Sequence, residues 1–329
     1  PSEYGDNLTW KLEGDTLTIS GEGQMENWER GEHAPWAFYS DEIRHVVIAD
    51  GVTSVGQRAF GIGSDIIPVS VIETGPDYDY PIESVSLGST VQVIGSAAFA
   101  YLDQLAEIAI PASVKWIDSR AFYQCSGLTP LTFAEDAQIA QMAGAFERCT
   151  ALKRVELPAT DLSVEGVENV FGAAFIDCYA LEEVTFRDGA AYIGSEMFAG
   201  CTALEKVTIP HSMQAVSDDA FDGCVSLTDI YYDGYADEWK DILIETRWAE
   251  WPESAVVHFE EDAAPPKISN VTKGGVHNSD FTVSATVSDN RPKITVRFDL
   301  STDGGGQWTL VGKKTVSGES GTVETTVDV

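Results

Sequence analysis

Apolar residues recur with a period close to 23 between Ile43 and about residue 230. The most regular member of the pattern is a Phe that usually follows Ala, and successive Phe residues are 39, 23, 24, 29, 23 and 23 positions apart. A fixed period of this length predicts a solenoid in which each repeat forms one turn of a coil. The Phe residues of the pattern are Phe60, Phe99, Phe122, Phe146, Phe175, Phe198 and Phe221.

One short strand is predicted in each repeat. In most repeats a Leu opens a segment of the form L-x-x-(V/I/L)-x-(I/L/F/Y), as in Leu204–Ile209, and β-branched residues with alternation are typical of strands. Because one strand cannot bury its apolar face alone, we expect strands of successive turns to pair in parallel over a continuous core, with the Phe residues on its opposite wall. Eight such segments begin at Ile43, Ile82, Leu105, Leu128, Leu152, Leu181, Leu204 and Leu227.

The cysteines occupy a single position of the repeat. Each lies three residues after one of the last five Phe residues, and together they account for every cysteine in the chain. Equivalent positions on neighbouring turns would place Cα atoms about 5 Å apart, but with parallel Cβ directions that oppose a disulfide. No C-x-x-C pair or Cys/His spacing suits zinc. We therefore expect buried free thiols at Cys125, Cys149, Cys178, Cys201 and Cys224.

A different pattern follows residue 266. Phe281–Ser288 alternates strictly between apolar and polar residues, and Ile294–Leu300 repeats the alternation after the turn Asp289–Pro292. Trp308 continues the pattern, which stops in mid-strand at Val329. Half-buried strands of this kind predict a small antiparallel β-sandwich, and whether this chain holds all of it stays open.

Charge separates the two patterns. The chain carries 53 acidic and 20 basic residues, a net charge of -33, yet the segment from Ala264 onward holds seven of each. The excess therefore lies in residues 1–263, and the acidic, proline-bearing stretch Glu260–Pro266 predicts a linker. So large a negative charge disfavours DNA, RNA and anionic membranes as partners.

One motif and both ends of the solenoid carry a family resemblance. The motif AF-x-x-C-x-x-L-x-x-(V/I)-x-(I/L)-P, seen in Met197–Pro210, resembles the BspA-like leucine-rich repeats of bacterial surface and secreted proteins. Asn7–Gly21 is similar to the β-hairpin cap of such chains, and Tyr231–Phe259 is similar to their final turn. The residues after 263 resemble bacterial immunoglobulin-like modules.

The resemblance implies a domain layout and a class of function. Residues 1–42 are expected to form an N-terminal β-hairpin cap, 43–230 a leucine-rich-repeat solenoid of about eight parallel strands, 231–262 a C-terminal cap and linker, and 263–329 an immunoglobulin-like β-sandwich. The fold class is thus α+β or β-rich. Such proteins are secreted or displayed on the cell surface, where they act in adhesion or recognition, and the sandwich would serve as a spacer.

No residue pattern indicates an enzyme. The five histidines are scattered, and neither a G-x-S-x-G elbow nor a phosphate-binding loop occurs. We expect no cofactor and no metal; weak calcium binding at Asp77 with Asp79, or around Asp218, stays open. The sequence contains no run of about eighteen apolar residues, so we expect no insertion into a membrane. The chain opens with Pro1, so we expect a signal peptide to have been removed.

The solvent-facing positions of the sheet are the predicted binding surface. They hold seven acidic and four basic residues but one aromatic residue, Tyr231. A sugar would need aromatic platforms, so complementary charge favours an extracellular protein, of the host or of another microbe. The alternative is that these side chains only keep the face soluble. The predicted contact residues on the sheet are Arg44, His45, Lys153, Arg154, Glu156, Glu182, Glu183, Lys206 and Tyr231.

Two insertions interrupt the period. About sixteen extra residues lie between Phe60 and Phe99 and about six before Phe175, and insertions map to loops that often serve recognition. In the first insertion, Tyr78 and Tyr80 are either exposed contact residues or side chains that pack the insert onto the solenoid. An alternative function is carbohydrate binding through the aromatic residues of the insert and the two ends, namely Trp28, Trp36, Tyr78, Tyr80, Trp248 and Trp251.

Overall fold

The chain divides into two compact units, Pro1–Glu260 and Glu261–Val329. A computed structural model describes residues 7–29, 32–61, 80–160, 171–239, 242–245, 255–259, 267–269, 281–288, 293–300, 309–317 and 320–327. Most of both predicted insertions lies outside these residues, as do Tyr78, Trp248, Trp251, Trp308 and the turn Asp289–Pro292.

The first unit is a solenoid whose main strands follow the predicted segments. A hairpin of two antiparallel strands opens it, and the later main strands that pair with one another do so in parallel. The main strands are β1 (Leu8–Glu13), β2 (Thr16–Gly21), β4 (His45–Ile48), β6 (Ser84–Leu87), β8 (Ile108–Ile110), β10 (Leu131–Phe133), β12 (Arg154–Leu157), β14 (Glu183–Phe186), β16 (Lys206–Ile209), β18 (Asp229–Tyr232) and β20 (Val256–His258).

The main strands form three hydrogen-bonded groups rather than one continuous sheet. The groups are β1-β2-β4-β6, β8-β10 and β12-β14-β16-β18-β20. A single bridge between Ser84 and Glu107 links the first two. The last group holds the longest run of parallel strands, and it carries most of the predicted contact residues.

A second row of short strands runs along another side of each turn, and the sequence pattern did not predict it. These strands are β3 (Gly23–Gln24), β5 (Val52–Val55), β7 (Val93–Ile94), β9 (Trp116–Ile117), β11 (Gln138–Ile139), β13 (Ala159–Thr160), β15 (Tyr192–Ile193), β17 (Ala215–Ser217) and β19 (Leu243–Glu245). They pair in parallel as β3-β5-β7-β9, β11-β13 and β15-β17-β19. Each of the seven repeats with a core Phe therefore has one main strand, one short strand and one tight turn that contains the Phe.

Helix is nearly absent from the described residues. It consists of a 3-10 segment, Ala37–Glu42, and one helical turn, α1 (Ala236–Trp239). The fold is thus a mostly β parallel solenoid, which narrows the α+β or β-rich expectation to its β-rich side.

A stack of aromatic rings runs through the core. All seven Phe residues of the repeat are buried, and neighbouring rings lie 5.0 to 5.6 Å apart with planes within 18° of parallel. Trp36 stacks on Phe60 at 5.4 Å and adds one more ring at the N-terminal end. One period of the sequence, about 23 residues, therefore corresponds to one step from a ring to the next in the stack.

The turns around five of the Phe residues, from Phe99 to Phe198, use the left-handed backbone region two residues before and two residues after the Phe. In one repeat Arg120 and Gln124, two residues before and after Phe122, have φ of 62° and 55°. Such conformations cost an L-residue roughly 1–2 kcal/mol, and Gly200 and Gly223 occupy the second position in the last repeats. Hydrogen bonds between turns offset the strain, because the N–H groups of Arg120 and Gln124 donate to the carbonyls of Gly144 and Glu147, both at 2.9 Å.

The second unit contains antiparallel strands only, as far as its described residues extend. They are β21 (Lys267–Ser269), β22 (Phe281–Ser288), β23 (Lys293–Leu300), β24 (Thr309–Ser317) and β25 (Ser320–Val327). The strands β21, β22 and β25 form one sheet, and β23 and β24 form another. Val287 and Val296 are buried. A sandwich of the two sheets stays a prediction.

Candidate functional site: a charged ladder on the parallel sheet

The sheet of β12, β14, β16, β18 and β20 presents two columns of side chains to solvent. Alternation along each strand buries Val155, Val184 and Val207 and turns their neighbours outward. The in-register pairing then lines up equivalent residues from strand to strand. One column reads Arg154, Glu183, Lys206, Asp229 and Val256, and the other reads Glu156, Thr185, Thr208, Tyr231 and His258.

Opposite charges alternate along the first column. The Glu183 carboxylate lies between two cations, 3.5 Å from Arg154 Nε and 2.9 Å from Lys206 Nζ. The hydrogen bond from Lys206 lowers the pKa of Glu183, and the same bond raises the pKa of Lys206. Beside this row, Lys153 Nζ lies 3.8 Å from Glu182 Oε1. The side chains of Lys153 and Arg154 are 65% and 73% exposed, so they reach well into solvent.

An aromatic pair ends the row. The ring of Tyr231 is stacked on His258 with centroids 4.5 Å apart, and Lys206 Nζ lies 5.0 Å from the Tyr231 centroid. His258 Nε2 is 2.6 Å from Asp229 Oδ1. Hydrogen bonds from the Thr228 hydroxyl and from His258 lower the pKa of Asp229. We call the whole set the charged ladder; it consists of Lys153, Arg154, Glu182, Glu183, Lys206, Asp229, Tyr231 and His258.

Glu156 belongs to a structural contact as well as to the exposed face. Its Oε1 accepts a hydrogen bond from Arg187 Nε at 2.7 Å. The two other nitrogens of that guanidinium donate to the main-chain carbonyls of Ala134 and Phe133 at 2.7 and 3.1 Å. Arg187 thereby ties the end of β14 to the end of β10, across the break between two groups of strands.

Arg44 and His45 lie at the other end of the solenoid. His45 Nδ1 is 2.8 Å from Ser84 Oγ, and its Nε2 is 4.0 Å from Asp15 Oδ2. Arg44 donates from Nη1 to the Asp41 carbonyl at 2.9 Å. Since β6, β8 and β10 separate these residues from β12, the predicted contact residues fall into two separate patches.

Three of the aromatic residues predicted to bind carbohydrate lie within the described residues, namely Trp28, Trp36 and Tyr80, and all three are core residues. Tyr80 is 3% exposed and packs edge-on against Phe60 with centroids 6.3 Å apart, so its assignment as an exposed contact is wrong, and packing of the insert describes it instead. Trp28 and Trp36 are also buried, and Trp36 Nε1 donates to the Ala59 carbonyl at 3.0 Å. They offer no exposed platform for a sugar. Tyr78, Trp248 and Trp251 fall outside the described residues.

The face consists of charged and aromatic side chains that contact one another between neighbouring strands. Within the described ranges, no group of three or more His, Cys, Asp or Glu side chains could hold a metal ion. Nor do these residues contain a helix long and apolar enough to cross a membrane. The ladder is a solvent-facing row of alternating charge that ends in the stacked rings of Tyr231 and His258.

Sequence reasoning missed three contributors to this region. His258 and Val256 extend the two columns by one strand, and the alternation within Ala255–Phe259 was the available signal. Arg187 carries no such signal, because its partners at residues 133 and 134 are more than fifty positions away.

The repeats match a known family. The family model for the BspA type leucine-rich repeat region matches six copies, over residues 77–171 and 168–238. No curated protein matches the chain in sequence.

Solved structures of leucine-rich repeat proteins are similar to this chain, at low TM-scores. A leucine-rich cell surface protein from Faecalibacterium prausnitzii is 19% identical, with 74% of this chain and 98% of that chain covered and a TM-score of 0.28. A leucine-rich repeat protein from Bacteroides ovatus is 17% identical, with 70% of this chain and 71% of that chain covered and a TM-score of 0.37. The T. pallidum leucine-rich repeat protein is 18% identical, with 69% of this chain and 89% of that chain covered and a TM-score of 0.36. At such scores these likenesses carry no inference about function, and the assignment of the repeats rests on the family model.

Proposed function

Because residues 77–238 form a BspA-type leucine-rich repeat region, we propose that this chain is a non-enzymatic recognition or adhesion protein of the bacterial surface or exterior. In this proposal the charged ladder binds an extracellular protein of a host or of another microbe. The second unit acts as a spacer that carries the solenoid.

One observation carries the proposal, namely that the ladder collects most of the predicted contact residues on one exposed face. Arg154, Glu183 and Lys206 begin three consecutive strands that pair in register, and Lys153 and Glu182 directly precede the first two of these strands. The parallel main chain fixes the spacing between them at roughly 4.8 Å. The charges are therefore held in a fixed row before a partner binds, which lowers the entropy cost of binding.

The arrangement of charge favours specificity over general attraction. Within a chain of net charge -33, Lys153 and Arg154 are the most exposed cations of the ladder, since Lys206 is 43% exposed. A complementary acidic group on a partner would select this position and avoid the rest of the acidic surface. Tyr231, 40% exposed and held between Lys206 and His258, supplies the kind of aromatic anchor on which binding energy concentrates.

The proposal is tested by charge reversal against a panel of purified extracellular matrix proteins. We expect the full chain to bind at least one of them and the double variant Lys153→Glu/Arg154→Glu to lose at least about tenfold in affinity. Both side chains are exposed, so the thermal unfolding midpoint should change little.

Two control variants distinguish an effect of the arrangement of charges on the ladder from an effect of net charge. Lys153→Glu/Glu182→Lys keeps the ion pair and the net charge but inverts its polarity, and it should also weaken binding. Arg58→Glu/Lys115→Glu makes the same change in net charge away from the ladder and should leave binding intact. Binding to no member of the panel, or equal losses in the ladder and control variants, would overturn the proposal.

A further inference from the structure

A groove of about 510 Å³ crosses the turns of four successive repeats, and its lining contains no residue of the charged ladder. It begins at Tyr101 in the turn after Phe99 and ends at Tyr179 in the turn after Phe175. At the spacing of paired strands these two turns are roughly 14 Å apart. The groove is lined by Tyr101, Asp103, Gln124, Ser126, Arg148, Thr150 and Tyr179.

The repeat itself places these side chains. Tyr101, Gln124 and Arg148 all lie two residues after a core Phe, in the left-handed backbone region with φ of 65°, 55° and 62°. Their N–H groups donate to the next turn at 2.7, 2.9 and 2.8 Å, so the three positions are fixed relative to one another. Asp103, Ser126, Thr150 and Tyr179 share the position four residues after the Phe. Two rows of lining residues thus follow the same rigid scaffold as the core.

A buried phenol organises the polar groups of the groove. The hydroxyl of Tyr123 accepts hydrogen bonds from Gln124 Nε2 at 3.4 Å and from Arg148 Nη1 at 3.2 Å. In both hydrogen bonds the Tyr123 oxygen is the acceptor, so its own O–H group does not donate to Gln124 or to Arg148. The ring of Tyr101 packs edge-on against Tyr123 with centroids 5.2 Å apart. The amide, the guanidinium and one aromatic wall are therefore positioned before any ligand arrives.

The electrostatics of the groove exclude a simple anion site. Arg148 is its one cationic side chain, and Asp177 Oδ2 lies 3.3 Å from Arg148 Nε, with Glu147 Oε1 at 4.0 Å. With Asp103 in the lining as well, an anionic ligand would meet more negative than positive charge. The groove is better matched to a neutral ligand that carries many hydroxyl groups.

From these observations we propose that the groove binds a short, neutral oligosaccharide. The Tyr179 ring is 48% exposed and, with Tyr101 at the other end, offers aromatic surface to the C–H faces of sugar rings. Gln124, Arg148, Asp103 and the two hydroxyl side chains between them supply donors and acceptors for sugar hydroxyls. A volume of about 510 Å³ lies within the range of natural small-ligand sites. The lining shares no residue with the ladder or with the aromatic residues named above for the two ends of the solenoid.

The experiment is a glycan array of neutral oligosaccharides probed with the full chain, followed by calorimetry on the best binder. We expect Tyr101→Ala/Tyr179→Ala to weaken that binder at least about tenfold and to leave the affinity for a matrix protein unchanged. Lys153→Glu/Arg154→Glu should show the reverse behaviour. Tyr39→Ala, which removes another exposed aromatic residue, is the matched control and should bind the glycan like the unmodified chain.

Thermal unfolding of each variant shows whether a loss of binding reflects a loss of fold. The assignment is wrong if no neutral glycan binds, if binding survives in the folded Tyr101→Ala/Tyr179→Ala variant, or if only charged glycans or peptides occupy the groove.

Discussion

At the residue scale, each of the five cysteines is a small core residue that also donates a hydrogen bond. Each Sγ donates to the carbonyl of the Phe one turn earlier, at 3.1 to 3.3 Å. The carbonyl of Phe122, for example, also accepts from the N–H of Cys125 at 3.2 Å in its own turn. Both lone pairs of a buried carbonyl are then used. Cysteine suits the position because its side chain is small enough for the core and its S–H group can donate this hydrogen bond.

The thiols make stability depend on pH above about 9. All five cysteines are buried and free, and burial raises the pKa of Cys125, Cys178 and Cys224 to about 12. Between pH 9 and 12 the unfolded chain therefore loses thiol protons that the folded chain keeps, and the free energy of unfolding falls as pH rises.

We predict that Cys125→Ser shows a shallower fall than the unmodified chain, by about 1.4 kcal/mol per pH unit above pH 9, because serine does not titrate there. Urea unfolding at pH 8, 9.5 and 10.5 measures the two slopes. At pH 8 without reductant, all five thiols should react with a thiol reagent in urea and none in the folded protein. Equal slopes, or three or fewer reactive thiols in urea, would contradict this account.

At the scale of elements, the stacked rings connect each turn to its neighbours. Phe146 lies 5.0 Å from Phe122 and 5.3 Å from Phe175, and it is fully buried. Replacing it removes contacts to two turns and leaves a cavity. We predict that Phe146→Ala lowers the free energy of unfolding by about 3–5 kcal/mol. Phe38→Ala, a change at a 76% exposed ring, should cost less than about 0.5 kcal/mol in the same chemical denaturation measurement. Similar losses in the two variants would refute a structural role for the stack.

Arg187 is predicted to hold together the two groups of strands that end at β10 and begin at β12. Its side chain is 22% exposed, and its planar group donates to Glu156 and to two carbonyls. Lysine cannot reproduce that fork. Arg187→Lys should therefore destabilise the chain by about 1–3 kcal/mol, whereas Arg154→Lys on the exposed face should cost under about 1 kcal/mol. The contrast is measurable by thermal unfolding, and equal effects would rule out the bridging role.

Elements with a repeated side-chain signal were predictable, and the others were not. The main strands follow the Leu and Val pattern of segments such as Leu204–Ile209, since burial of one face imposes alternation. Short strands such as Trp116–Ile117 contain two residues, too few for any period to appear. The break between β10 and β12, and the side chain that spans it, depend on contacts between residues far apart in sequence.

At the scale of the whole molecule, the net charge of -33 describes the solenoid and its linker, since residues 264–329 are neutral. The ladder nevertheless compensates its charges locally, with Glu183 between Arg154 and Lys206. The sequence columns predicted this row because parallel pairing keeps equivalent residues adjacent. They could not predict the groove at Tyr101 and Tyr179, because its lining residues differ in type from turn to turn and only the shared backbone positions bring them together.

The central claim is that the ladder is the protein-binding surface, and lysine footprinting tests it most directly. The full chain is acetylated alone and when saturated with the matrix protein that it binds, and the modified lysines are quantified by mass spectrometry. The account predicts that Lys153 and Lys206 react several-fold more slowly in the complex, whereas Lys11 and Lys115 react at their free rates. Unchanged reactivity at Lys153 and Lys206, with protection only at Lys11, Lys115 or the lysines after residue 266, would contradict it.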